Sequence, residues 1–487
     1  MKNILLLFLC TVLCKNAEAQ VFPVSDIMQN GPDSNRINLA VVAEGYTSTQ
    51  QSKFLSDATI TSTGLFAISP LKEYANFFNV YAIQVPSVDS GADHPGTALD
   101  LDVSSPWTPV ENVNSYFDCT YDYGNMHRGL AIYGTAGYNK LWAVLAANVP
   151  WTDEVLMLVN SPYYGGTGNP RVAIVSMLSI LTKTVTPPVP IPPPMYSAIA
   201  STAAHEFGHS FVKLGDEYNN PYTITGVNIS KTSDTNLVEW KSWLHSQGVE
   251  VYPQSSNNLF RPRLDSCKMY GGWQDFCPVC KDGYITAIYK VVSPIDSTTP
   301  DTTTTLTYSG SPLTFKLKLV RPNPNTLKIQ WRLNGTLLSA KDTIVQITSA
   351  QLQTGQNKLT AFVTDTTMLS RSYWPGKGFQ FSTSWKINKS GTSINILNSS
   401  EASKFIHNVF PNPATDKLFL GYENLTPDSE VRYSILAIDG RVVLSGTLEL
   451  KRGKQLTALN ISTLQTGIYS CVFDGEHIHI NSRFVKQ

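Results

Sequence analysis

Two histidines four residues apart in an alanine-rich run, His205-Glu206-Phe-Gly-His209, constrain this chain more than any other stretch. From Ala198 to about Val212 the residues favour a helix, Gly208 excepted. Residues four apart share a helical face, so both imidazoles aim at one point and Glu206 projects beside them. That pattern suits one catalytic zinc ion held by His205 and His209. Zinc brings the pKa of a bound water from 15.7 to about 7. Glu206 then acts as general base, taking the water's proton and handing it to the leaving amine. The plain alternative, two surface histidines, is outweighed by the helical setting and by the acidic residues just beyond.

A catalytic zinc wants three protein ligands and one open position. Gly215 can break the helix and let the chain turn back, which makes Asp216 the first candidate for third ligand and Glu217 the runner-up. Whichever of the two is not the ligand can orient a histidine. Tyr218 reads as a packed tyrosine or as a stabiliser of an oxyanion. Nothing beyond residue type singles out His94 or His127, and no structural calcium site is indicated.

The start of the chain points to export. Lys2 precedes a short apolar run from Ile4 to Leu13, and Ala17-Glu-Ala19 offers a signal-peptidase site, so residues 1–19 read as a signal peptide. The run is shorter than the ~20 residues needed to cross a bilayer, and no later stretch qualifies as a transmembrane segment. With Lys+Arg and Asp+Glu both at 37, nothing favours a nucleic-acid partner. Five cysteines follow the leader, three of them within Cys267-Lys-Met-Tyr-Gly-Gly-Trp-Gln-Asp-Phe-Cys277-Pro-Val-Cys280. In an oxidising compartment disulfides among Cys267, Cys277 and Cys280 are the first expectation. A Cys-x-x-Cys redox pair or part of a structural zinc site ranks below that, because a second pair at zinc-ribbon spacing is missing.

Residues 20–292 alternate strand-like runs (Ile37–Ala43, Val80–Val85, Glu154–Val159) with helical stretches (50–78 and the motif helix), which predicts an α/β layer. Tyr164-Gly-Gly-Thr-Gly168 is a glycine-rich turn or the edge of a substrate cleft, and a proline-rich insert covers Pro187 to Pro194. Residues 293–306 have linker composition. From 307 to 388 alternating runs and an Asn334-Gly335 hairpin signal predict an immunoglobulin-like β-sandwich with Trp331 in its core. A second linker (389–404) leads to a final all-β unit, 405–487, expected as a second β-sandwich.

The motif His205-Glu-Phe-Gly-His-Ser-Phe-x-x-Leu-x-Asp-Glu-Tyr218 resembles the signature of the IgA-peptidase family of zinc metallopeptidases. So do Glu44-Gly-Tyr46, Asp89-Ser-Gly-Ala-Asp-His-Pro95, Leu158-Val-Asn-Ser-Pro-Tyr-Tyr-Gly-Gly166 and the Cys267-Lys-Met269 to Cys280 segment. The resemblance covers about Val21 to Tyr289. It implies a metzincin-like fold, with Met269 as the methionine beneath the metal and Tyr164, Gly165, Gly166 and Tyr218 bordering the cleft. One departure stands out: in metzincins the third ligand lies six residues after the second histidine, and Asp216 lies seven after His209. The final unit is similar to the C-terminal sorting domain of type IX secretion in Bacteroidetes, through Phe410-Pro-Asn-Pro-Ala414, Asp439-Gly-Arg441, Leu464-x-x-Gly-Ile-Tyr469 and Phe484-Val-Lys486. That implies the type IX machinery as a partner, with secretion or surface attachment.

The expected activity is hydrolysis of peptide bonds in extracellular or host proteins. A non-proteolytic zinc amidase is the first alternative. A surface adhesin or glycan-binding protein with a relic metal domain is the second, and the intact His-Glu-x-x-His argues against it.

Overall fold

The computed structural model describes residues 20–487 apart from 101–107, 178–193, 220–223, 255–257, 272–273, 372–378, 390–405, 425–428, 439, 452 and 475–478. The expected signal peptide, the proline-rich insert up to its last residue, and the second linker after Lys389 lie outside the described residues. Two compact units emerge. One takes in the described parts of Met1–Asp296, Leu319–Lys328 and Val363–Phe381, the other those of Ser297–Lys318, Ile329–Phe362 and Ser382–Gln487.

The first unit has strands β1 (Val24–Met28), β2 (Ile37–Glu44), β3 (Phe78–Ile83), β4 (Cys119–Thr120), β5 (Ala131–Ile132), β6 (Glu154–Val159), β7 (Gly166–Asn169) and β8 (Val172–Ser176). Its helices are α1 (Gln51–Leu65), α2 (Gly134–Asn148), α3 (Pro194–Phe207) and α4 (Pro278–Val291). The main sheet runs β1-β3-β2-β6-β8-β7. The four central strands are parallel, while β1 and β7 are antiparallel edges. Every residue of β2, β3, β6 and β8 is buried. Such unbroken apolar runs belong to parallel strands covered on both faces.

Differences from the sequence reading are local. The helical stretch expected over 50–78 ends at Leu65, where Gly64 and then Pro70 interrupt it. Residues 164–168, expected as a turn or the edge of a cleft, enter β7 at Gly166.

At the end of β2, Glu44 is wholly buried and accepts from the Ser115 hydroxyl (2.7 Å), the Phe117 amide (2.9 Å) and the Cys119 amide (3.0 Å). It therefore organises the loop beneath the sheet. Gly45 follows in a left-handed conformation (φ 68°), and a side chain there would strike the Gly91 carbonyl at 2.2 Å. The Glu44-Gly-Tyr46 motif is thus explained by folding.

Strands Ile295–Thr299 and Thr305–Thr307 take up half of residues 293–306, the stretch expected as a linker. Threonine, frequent in this stretch, suits a strand as well as a linker. A three-stranded sheet contains Leu313–Leu319 and Ile344–Ile347; a five-stranded one contains Leu327–Leu333, Gly355–Asp365 and Phe379–Lys389. Phe315 of the first and Trp385 of the second meet at 5.2 Å, and Trp385 stacks on Trp331 at 5.6 Å. Both tryptophans are fully buried. The Asn334-Gly335 hairpin forms, with φ of 50° and 85°, the left-handed pair that such a turn requires. The described residues from 406 onward include a three-stranded and a four-stranded sheet around Leu418, Ile435, Cys471 and Phe484.

Candidate metal centre

α3 delivers the motif. Its α-helical bonding lasts to Phe207; Gly208–Val212 then form a π turn, and Lys213 ends it in the left-handed region (φ 63°). The Leu214 amide returns to the Gly208 carbonyl at 3.0 Å. Lys213, not Gly215, therefore reverses the chain. Gly215 is instead clamped by Asn228, whose side chain accepts from its amide (2.9 Å) and donates to its carbonyl (2.8 Å).

The reversal brings Asp216 over the helix. His205 Nε2, His209 Nε2 and Asp216 Oδ1 form a triangle with sides of 3.2, 3.1 and 3.3 Å. Ligands about 2.0–2.1 Å from a tetrahedral ion stand roughly 3.3 Å apart. The remaining ring nitrogens face backbone carbonyls: His205 Nδ1 lies 3.0 Å from Lys268 O, and His209 Nδ1 lies 2.6 Å from Leu214 O. With Nδ1–H donated there, both Nε2 lone pairs converge with the Asp216 oxygen. Three electron-rich atoms at these distances need a shared proton or a cation, and the donor set fits a divalent metal.

The electrostatics reflect this. Burial disfavours charge on His209, yet Asp216 overrides it and raises the imidazole to about 9. Burial likewise opposes ionisation of Asp216, but hydrogen bonds from the two histidines hold it well below the usual carboxylate range. Burial raises the pKa of Glu206, and the histidines pull against it. A carboxylate oxygen of Glu206 and one nitrogen of each histidine lie within 4.8 Å of one another. Tyr218 stacks near His205 (centroids 6.4 Å), and its hydroxyl lies 3.4 Å from the Arg128 guanidinium.

Met269 is fully buried against the turn between the two histidines: a β-carbon on Gly208 would lie 3.1 Å from its sulfur. Tyr164 and Gly165 lead into β7. The Gly165 amide donates to Ser176 Oγ, and the Gly166 amide donates to the Arg128 carbonyl (3.1 Å). The strand edge is therefore already engaged at Gly166. A β-carbon on Gly166 would sit 3.0 Å from Glu206 Oε1.

Gly168 is tighter still, its added carbon meeting the Glu206 carbonyl oxygen and His209 Cβ at 2.4 Å each. Gly168→Ala must push β7 off the motif helix, and displacements of about 1 Å cost up to ~10²-fold in rate. We expect kcat/KM to fall by at least ~10-fold. Gly271→Ala, whose added methyl meets none of the described residues within 4 Å, serves as the neutral control. Parallel peptide-cleavage kinetics on the two variants check this.

Glu217 departs from the runner-up role. It is wholly buried on the far side of the loop, where its Oε1 lies 3.3 Å from Cys280 Sγ, 3.9 Å from Cys277 Sγ and 3.0 Å from Asn228 Nδ2. The structure departs from the expected disulfides: no disulfide joins Cys267, Cys277 and Cys280, and the Cys267 and Cys280 sulfurs stand 3.6 Å apart where a disulfide needs about 2.05 Å. One further group escaped the sequence reading. His94, Asp122 and His127 converge, with Asp122 Oδ1 3.0 Å from His127 Nδ1 and 3.4 Å from His94 Nε2. No spacing rule joins residues 28 and 5 apart in sequence, so only the fold reveals this trio.

An α/β layer whose helix turns two imidazoles and a carboxylate toward one point defines a candidate metal-dependent hydrolase. Residues 25–249 match the family described as IgA Peptidase M64, which supports a peptidase, and a metallopeptidase family implies a metal ion. Residues 408–487 match the secretion system C-terminal sorting domain, which indicates export by the type IX route, with secretion or cell-surface attachment. Among the described residues no helix is long and apolar enough to cross a membrane. No curated protein matches the chain. Solved structures similar to parts of it include dimeric latent PorU from Porphyromonas gingivalis (11% identity, 38% of this chain, 19% of that one, TM-score 0.16). Another is the Bacteroides ovatus mixed-linkage glucan utilization locus protein SGBP-B (12% identity, 38% and 43%, TM-score 0.15). The chain spans less than half the length of either, and likenesses this distant carry no argument.

Proposed function

We propose that this chain is an exported zinc-dependent endopeptidase acting on extracellular proteins, with His205, His209 and Asp216 as metal ligands and Glu206 as general base. The observation that carries the reading is the triangle of two Nε2 atoms and one Oδ1 with sides of 3.1 to 3.3 Å. When bound there, zinc acidifies water and polarises a carbonyl.

The chain's own groups supply the rest. Lys268 O and Leu214 O face Nδ1 of the two histidines, so that Nε2 is the nitrogen each would turn to the metal. Glu206, made more basic by burial, takes a proton from the attacking water and gives it to the departing amine. Tyr218, its hydroxyl beside Arg128, donates to the oxyanion that forms on the scissile carbonyl. Tyr164, Gly165 and Gly166 border the cleft, and pairing of an extended substrate with β7 falls beyond Gly166, whose amide is engaged.

The layout we propose is a signal peptide (1–19), a metzincin-like peptidase domain (20–292), an immunoglobulin-like sandwich (307–388) and a sorting domain (405–487). The test is digestion of a peptide library followed by mass spectrometry, on the full secreted chain as purified, after chelation, and after zinc is restored. Cleavage that disappears on chelation and returns with zinc is the expected result. A zinc-loaded chain that cuts no peptide in the library would rule out broad proteolysis.

A further inference from the structure

Behind the catalytic loop, Cys267, Cys277, Cys280 and Glu217 bring four potential ligand atoms within 4.8 Å of one another, all four residues buried. Cys267 and Cys280 sulfurs are 3.6 Å apart; Glu217 Oε1 is 3.3 Å from Cys280 Sγ and 3.9 Å from Cys277 Sγ. Zinc binds thiolate sulfur at about 2.3 Å and carboxylate oxygen at about 2.0–2.2 Å. Tetrahedral placement then separates sulfurs by roughly 3.8 Å and sulfur from oxygen by roughly 3.5 Å. The observed distances lie close to both.

Three further features favour an ion here. Glu217 has no exposed surface, and its Oε2 has no hydrogen-bond partner among the described residues, an arrangement that is costly for a carboxylate unless a cation balances it. Cys277 caps the 14-residue helix α4 and Cys280 lies in its first turn, where the helix dipole favours thiolate. The Cys277 amide, moreover, donates to Cys267 Sγ at 3.4 Å, supporting negative charge on that sulfur.

We propose that Cys267, Cys277, Cys280 and Glu217 form a second, structural zinc site, closed by four protein ligands and separate from the catalytic centre. Its purpose follows from what it ties together. Glu217 is the neighbour of Asp216, and its amide donates to the Met269 carbonyl at 2.8 Å. Cys267 precedes Lys268, whose carbonyl receives His205 Nδ1. The ion therefore pins the loop that presents Asp216 to the segment that orients His205. Adjacent acidic residues thus serve two ions, one on each side of the loop.

The test is metal analysis of the full chain, together with cobalt(II) substitution. Wild type should hold two zinc ions, and His205→Ala/His209→Ala should keep one. The cobalt-loaded double variant should retain the near-ultraviolet thiolate-to-cobalt band, and Cys277→Ser/Cys280→Ser should lose it. Because the spectrum of the double variant needs no change in the cysteine cluster, misfolding of the serine variant leaves the test intact. A single zinc that vanishes in His205→Ala/His209→Ala would overturn the second site while leaving the peptidase reading standing. A single zinc that survives there would do the reverse. Peptide mapping of unreduced protein that finds a Cys267–Cys280 disulfide would also overturn the site.

Discussion

Glu206→Gln should leave the chain folded and loaded with metal, yet lower kcat/KM on a cleaved peptide by about 10²–10⁴-fold, the usual contribution of a positioned general acid–base. Glutamine keeps the shape of the side chain, which matters at a residue only 9% exposed and packed against β7. What it lacks is basicity. In the wild type, burial raises the pKa of Glu206 while His205 and His209 offset part of that rise, so the carboxylate is a better proton acceptor than one in water. Removing that acceptor leaves the ligand triangle of His205, His209 and Asp216 untouched, and the metal content should not change. Stopped assays on one peptide from the library, with zinc measured on the same sample, separate the effects. Activity within a few-fold of wild type would remove Glu206 from the mechanism. Loss of metal together with activity would make it a ligand.

The helix, both histidines and Glu206 were legible in the sequence because a four-residue spacing fixes a common face whatever surrounds it. The parallel core strands were legible for a similar reason, since strands covered on both faces read as unbroken apolar runs such as Ile37–Ala43 and Glu154–Val159. The turn after the helix was not. Asp216 follows the π turn Gly208–Val212, which takes more residues per turn than an α-helix before the chain reverses at Lys213. No propensity rule marks a π turn, and Lys213 is not a residue one expects at φ 63°. The different fates of Asp216 and Glu217 were equally hidden, because adjacent residues on a loop point apart only once the loop's path is known. The cysteines were read as disulfides because compartment governs that expectation; their convergence on a buried carboxylate depends on packing between α4 and the Asp216 loop.

Asp216→Ala should remove the catalytic ion and with it all measurable peptidase activity, whereas the second site, which it does not touch, should keep its metal. Loss of an outer-shell partner already costs about 10–100-fold in metal affinity, and loss of a direct ligand should exceed that. The variant also predicts a change in proton bookkeeping that a purely structural aspartate would not cause. In the metal-free chain Asp216 raises His209 to about 9 against the opposing effect of burial, so His209 carries a proton at pH 7 that metal binding must expel. Folded His209 therefore holds more protons than its unfolded counterpart. That stabilisation of the metal-free chain is complete below about pH 6.5 and lost as pH rises through about 9. In Asp216→Ala the raised pKa collapses, so the pH dependence between those limits flattens. Melting temperatures of the two chelated proteins across pH 6 to 10 read this directly, and zinc content reads the ligand role. If Asp216→Ala keeps both ions and full activity, the third ligand lies elsewhere and the triangle on α3 is no more than a hydrogen-bonded cluster.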